Sequence, residues 1–432
     1  MKKIVFLFCW LFPTLTQAQN DQGITFQVFE NWQQLLTKAK AEHKNIFIDA
    51  YATWCGPCKK MDAEVYTDQK IGALMNTNYI AVKVQFDQSK NDNNQIKSWY
   101  TDAEHLMSTF HIDAFPTLLF LTPDGQLIYK DLGYKDVNQF ANLIKDVNDP
   151  ALNYSNQIAS FKAGKLKYSQ LLRLSLKAKE YKDSIAIDIA KTYKTKVLDV
   201  TEPTQSFNKE VRDFMVEFQQ LFTSKDKVVR YIIQYQSKSD QLLDQKGFAK
   251  KFSDYLITKT EIDPMIMPLG KYVTKQPDWF TLERKLKNAY GNNTAYRLLV
   301  TTKYNWYTHK QDWPNAVKYT TQYLDMQGID TATWAASGIN GIVFTTIFMH
   351  SDDPKYLRKG MSYMEIILKA HPEHHTWIDT YANLLYKSGK KEEAIQQEQR
   401  ALTLATDLKD ENRVISYRKV LEKMHNNQPT WE

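Results

Sequence analysis

Near residue 150 the hydrophobic rhythm of this chain changes, and the change bounds what it can fold into. Before it, short apolar runs of strand length alternate with stretches spaced for amphipathic helices. "ITFQVF" (24–29), "NIFIDAYATW" (45–54), "YIAVKVQF" (79–86), "PTLLFLT" (116–122) and "QLIYKDLG" (126–133) read as strands, with "PDG" (123–125) a tight turn between the last two. The second is a nearly continuous apolar run broken by Asp49, the pattern of a central strand buried on both faces. Three segments read as helices: "NWQQLLTKAKAEHK" (31–44) capped by Asn31, a stretch opening at Cys55 and running to about Tyr66, and "KDVNQFANLIKDV" (135–147). With a helix start in the 87–111 connection, the order βαβαβαββα predicts one sheet that mixes parallel and antiparallel pairing. After "VNDPALNYS" (147–155) no strand pattern returns. A chain of 432 residues exceeds one ordinary core. The expectation is an α/β domain over 19–150, a central mixed sheet flanked by helices, followed by an all-α domain over 151–432.

The first residues, "MKKIVFLFCWLFPTLTQAQ", run from two lysines through an apolar stretch to small and polar residues. That layout predicts a signal peptide over 1–18, cleaved after Ala18, and export to the periplasm, the cell envelope or the medium. An uncleaved anchor helix is the alternative, and Cys9 lacks the small residues a lipoprotein site wants before it. Loss of Lys2 and Lys3 takes two from the net charge of +7. What remains is spread thinly, with lysines among acids, so no nucleic-acid partner is expected.

With Cys9 removed, Cys55 and Cys58 are the whole cysteine complement. A structural zinc site wants four ligands, and the nearest downstream histidines, His105 and His111, fit no such template. No metal is expected. A structural bridge across so short a loop constrains the unfolded chain little. The pair reads as a redox couple, with the disulfide itself as the only redox group.

The residues around that pair carry a family resemblance. WCGPCK, Trp54 to Lys59, resembles the thioredoxin active site, and "FPT" (115–117) resembles the loop opposite it. The match covers about 130 residues and is most similar to the exported branch, with its long second helix. It implies that Asp49 is the buried acid of the family and Lys83 the lysine facing it. It implies that Phe115, Pro116 and Thr117 form the substrate loop, with Pro116 cis. The sequence departs from simple thioredoxin between Asp87 and His111, where Trp99 and Tyr100 either line the rim of the site or pin the insertion to the domain.

The chemistry comes from the helix start. Only a thiolate attacks a disulfide, and the unpaired N–H groups of a helix N-terminus favour that charge at Cys55. Cys58, three residues on, reaches back from the same face. Cys55 is thus the nucleophile and Cys58 the resolving thiol, provided the Cys55 sulfur is accessible. Pro57 suits the first helical turn, Gly56 permits close approach of a partner, and Trp54 supplies an apolar lip. Asp49 is either a desolvated carboxyl that carries a proton for Cys58 or a strand-end residue exposed through a bulge.

In the helical half, "TWIDTYANLLYKSGKKEEAIQQEQRALTLA" (376–405) resembles a tetratricopeptide repeat, with a turn at Gly389 and small residues at Ala382, Ala394 and Ala401. Glu398 stands where that pattern is usually aromatic. Helix pairs at about 294–326 and 332–370 look related. The aromatic run "KYNWYTHKQDW" (303–313) reads as core more than as a binding face, and "HPEHH" (371–375) as an inter-helix turn.

Together these readings predict an exported thiol–disulfide oxidoreductase, and Gly-Pro between the cysteines resembles the reducing members of the family, which implies a protein-disulfide reductase. Its partners would be disulfide-containing proteins, a membrane thiol donor, and a protein or peptide ligand of the helical repeats. An oxidase or isomerase is the rival of the same class. A scaffold whose thioredoxin unit only docks is the rival of another.

Overall fold

The computed structural model describes residues 23–431, so the expected leader over 1–18 lies outside the described residues. Four strands form one sheet: β1 (Asn45–Tyr51), β2 (Tyr79–Gln85), β3 (Thr117–Leu121) and β4 (Leu127–Leu132), in the order β2-β1-β3-β4. β1 runs parallel to β2, with Asp49 opposite Lys83, and antiparallel to β3, with Asp49 opposite Leu118. β4 pairs antiparallel to β3 through a turn closed by Gly125 at φ +79°, where a side chain would be strained.

Alternation along β1 sorts its side chains onto two cores. Ile46, Ile48 and Ala50 pack with Leu35 and Ala39 of α1 (Trp32–Glu42), and with Trp99, Ala103 and Leu106. Phe47 points the other way, with Met61, Val65, Ile71 and Phe140. Asn31 caps α1 as expected, accepting from the Gln34 N–H at 2.9 Å.

Two elements differ from the sequence reading. Residues 24–29 form no strand; a single bridge from Phe26 to Ala81 is all that pairs there. The helix opening at Cys55 ends close to the expected Tyr66, as α2 (Gly56–Glu64), but the long second helix of the resemblance is here two, with α3 (Gln69–Asn76) following. The second start has a local cause: Asp68 caps α3, accepting from the N–H groups of Lys70 and Ile71 at 2.9 and 3.1 Å. The insertion after β2 holds α4 (Asn94–Ser98) and α5 (Tyr100–Phe110), and α6 (Val137–Asn148) closes the sheet domain behind a capping box of Asp136 and Gln139.

The chain forms two compact units. One runs through Phe222 and takes in Asp226–Tyr231 and Lys238–Gln245; the other holds Thr223–Lys225, Ile232–Ser237 and Lys246 onward. The change of period near 150 therefore lies inside the first unit. There α7 (Tyr154–Lys162) and α8 (Tyr168–Glu180) lead to Tyr181, whose hydroxyl accepts from the Lys130 N–H at 2.8 Å and donates to the Lys130 carbonyl at 2.9 Å. A phenol thus satisfies both backbone groups of Lys130 on the outer edge of β4, where another chain could otherwise pair.

The second unit is helical throughout its described residues. Helices Trp279–Lys310, interrupted at Gly291, and Trp313–Gln327 form one hairpin; His375–Lys387 and Lys391–Asp407 form another around Gly389 at φ +82°. Ala382, Ala394 and Ala401 are fully buried. Trp306 and Tyr307 are buried against Trp279, in agreement with the core reading of that aromatic run. The histidines of 371–375 go separate ways: His371 to the Thr331 carbonyl, His374 flat on Trp377, His375 to the Tyr417 hydroxyl.

Candidate active site

The site grows from the end of β1. Past Tyr51 the chain turns through Ala52–Trp54, where the Asp87 carboxylate accepts from both the N–H and the hydroxyl of Thr53 and ties the turn to the end of β2. Cys55 then caps α2, its sulfur accepting from the Cys58 N–H at 3.1 Å, with Pro57 in the first turn. The two sulfurs are joined as a disulfide. The helix N-terminus that would stabilise a Cys55 thiolate is therefore in place.

Opposite lies the 115–117 loop. The Phe115–Pro116 peptide is cis, as the resemblance implied. Phe115 packs against the Cys55–Cys58 pair together with Tyr51 and Ala52, and meets Trp54 edge-on with ring centroids 6.0 Å apart. Trp54 itself is 70% exposed. Gly56 and Pro57 are exposed, and a side chain at 56 would meet nothing within 4 Å. Pro116 and Thr117 are buried, and the Thr117 hydroxyl donates to the Ala114 carbonyl at 2.7 Å.

One expectation is corrected here. The Cys55 sulfur was required to be accessible, yet in the oxidised form both cysteines are only 2% exposed. Phe115 and Tyr51, neighbours within the same domain, pack against the pair.

Asp49 is fully buried, which rules out the bulge reading. By pleat alternation it shares Phe47's face of the sheet, the one covered by α2. Burial pushes its carboxyl up to about 6 from the ordinary 3.8; the nearby Lys83 ammonium, Nζ at 3.5 Å, restrains that rise, and the Asp62 charge adds to it. Lys83 also pairs with Asp62 and sits beside the rings of Tyr51, Phe26 and Tyr66 at 5.1, 5.6 and 5.8 Å. Tyr66, buried next to Asp49, has its phenol pushed up by desolvation and by that carboxylate.

The sequence reading missed Asp62 and Tyr66. A signal existed: they come after Cys58 at steps of four, the spacing that lines up one helical face. The open choice at Trp99 and Tyr100 resolves into two roles. Trp99 is buried and donates from Nε1 to the Phe29 carbonyl at 2.6 Å, pinning the insertion, whereas Tyr100 is half-buried and donates to Asp92 at 2.5 Å.

Comparison with known proteins agrees with this geometry. Residues 32–148 match the family described as a thioredoxin-like domain. A thiol:disulfide interchange protein DsbD from Yersinia pestis is 31% identical over 149 residues, 33% of this chain and 22% of that protein. One from Campylobacter jejuni is 30% identical over 105 residues, 24% of this chain and 17% of that protein. The chain thus spans about a fifth of the length of the curated relatives it matches. Among solved structures, a DsbH oxidoreductase aligns with a TM-score of 0.26 at 18% identity, covering 31% of this chain and 91% of that one. The first domain is thioredoxin-like and carries a C-x-x-C disulfide, the equipment of thiol–disulfide oxidoreductases.

Proposed function

We propose that the protein is an exported protein-disulfide reductase in which Cys55 is the nucleophile and Cys58 the resolving thiol. The observation that carries the reading is the Cys55–Cys58 disulfide at the N-terminus of α2, set against the cis-Pro116 loop. In the reduced enzyme the Cys55 thiolate attacks one sulfur of a substrate disulfide, forming a mixed disulfide and releasing one substrate thiolate. Cys58, its proton taken by Asp49, then attacks the Cys55 sulfur and releases the second substrate thiolate. Two electrons pass to the substrate, and Cys55–Cys58 is left oxidised. The Phe115 backbone would pair with an extended substrate segment, with Trp54, Gly56, Pro57 and Thr117 shaping the approach. Lys83 favours the ionised form of Asp49 and keeps its titration near neutrality.

Turnover needs a donor of two electrons, and a membrane thiol protein is the partner class proposed. The names of the DsbD relatives support thiol–disulfide interchange as the chemistry. Export rests on the composition of residues 1–18, and the helical hairpins of the second unit are proposed to recruit substrate or partner as a tetratricopeptide-like array. The burial of Cys55 favours one rival: a docking module that does no redox work. Trapping separates them. A Cys58→Ser variant should accumulate mixed disulfides through Cys55, and the wild type should reduce insulin in the presence of dithiothreitol. No trapped species and no reduction above the Cys55→Ala/Cys58→Ala control would leave the scaffold reading.

A further inference from the structure

Beside the disulfide, on the side of the insertion between β2 and α5, lies a cavity of about 200 Å³. Phe86, Ala103, Met107 and the ring of Tyr100 supply its apolar lining, and Gln85, Asp87, Gln88 and Glu104 its polar lining. Its position relative to the chemistry is set by a chain of ring contacts. Phe86 lies 5.8 Å from Phe115, centroid to centroid, and Phe115 packs on the Cys55–Cys58 pair. Asp87 also anchors the Thr53 turn two residues before Cys55.

We propose that this cavity is a specificity subsite that takes a lysine or arginine side chain of the substrate polypeptide, a few residues from its reacting cysteine. The inference rests on the thiol–disulfide reading above and names the substrate class for that same site. Three features of the lining select the occupant. The apolar lining suits an aliphatic stem of three or four carbons, which long basic side chains bury while their heads stay wet. The ionisable groups in the lining are acids and one phenol, so a cationic head finds carboxylates and no competing ammonium. Asp87 is held by Thr53, whereas Glu104 is exposed on α5 and has no hydrogen bond or ion pair among the described residues, leaving its carboxylate for an incoming charge. Asp92, which holds the Tyr100 hydroxyl and the Gln85 amide, adds negative charge behind the lining. An acidic or bulky aromatic side chain would meet repulsion or lack of room.

The test uses the reduced full chain and a set of disulfide-linked peptides in which one position at a time, up to four residues either side of the cysteine, is lysine, norleucine or glutamate. At one position lysine should raise kcat/KM about fivefold over norleucine, the size of an ion pair at a partly exposed site. Glutamate should lower it. The lysine advantage should shrink in 0.5 M salt, vanish in Glu104→Gln, and turn into a preference for glutamate in Glu104→Lys, with the norleucine peptide as reference in every variant. Equal rates for lysine and norleucine at all positions, or an advantage that survives Glu104→Gln, overturns the subsite while the redox reading stands. If the wild type reduces none of the peptides, the redox reading falls and the subsite falls with it.

Discussion

A buried carboxyl in the sheet domain faces a lysine; a buried carboxyl in the second helical unit faces another acid. Asp49 and Glu398 are both fully enclosed, so desolvation pushes both upward. The neighbours then separate them. Beside Asp49 the Lys83 ammonium offsets part of the penalty and leaves the group near 6, where it can gain and lose a proton around neutrality. Beside Glu398 stands Asp379, whose charge adds to the rise. Glu398 is thus held neutral, sharing its proton with Asp379, which the Arg413 charge and the Asn383 amide at 2.9 Å also support. Burial decides that a carboxyl keeps its proton longer; the neighbour decides whether it titrates where an enzyme works. One arrangement suits proton transfer, the other packing.

The comparison breaks first at Glu398. Its folded pKa is raised, so its contribution is complete below the unfolded value of 4.5 and is lost as pH rises toward the folded one. Glu398→Gln keeps a donor for Asp379 and removes the titration. It should stabilise the protein at pH 9 by about 3 kcal/mol, with little change at pH 4, as read by denaturant unfolding. An unchanged pH profile would mean that Glu398 ionises freely.

Asp49→Asn should give a smaller effect with a functional cost. The same sign applies: Asp49 contributes fully below 3.8, and its ionisation above about 6 weakens the fold. The amide should therefore stabilise the oxidised protein by about 2 kcal/mol at pH 8 and hardly at all at pH 4. Release of Cys55 mixed disulfides should slow about tenfold near neutral pH while first attack holds; equal release rates in stopped flow would remove Asp49 from the mechanism.

Asp62→Asn is the finest probe. It removes a charge that raises Asp49 and frees Lys83 from its second partner, so the Asp49 midpoint should fall by about half a unit. Carboxyl-carbon NMR titration reads this directly, and a rise would mean that Lys83 loses its place when Asp62 goes.

Much of the first domain was legible because its signals are local. The β1 run, the Asn31 cap, the cysteine spacing and the 115–117 loop each lie within a few residues. The failures are places where tertiary contacts decide. Residues 24–29 have strand composition, yet only Phe26 pairs with β2. The exception is α3, whose Asp68 cap is a local signal. The helices after 150 have ordinary amphipathic spacing, and nothing in it says that Tyr181 will seal β4. Asp62 was visible only as a spacing from Cys58; its partner Lys83 comes from β2.

The residues in order were enough to determine the redox pair, its place at a helix start, the sheet that carries it and the helical character of the chain beyond 150, since each depends on neighbours along the chain. Only the folded structure decided that Phe115 and Tyr51 pack against the disulfide, that Lys83 divides itself between Asp49 and Asp62, and that an acid-lined cavity opens beside the cis-proline loop. Those facts depend on which side chains arrive at one point from distant segments, and desolvation and Coulomb energy depend on that distance in space, not on separation in sequence.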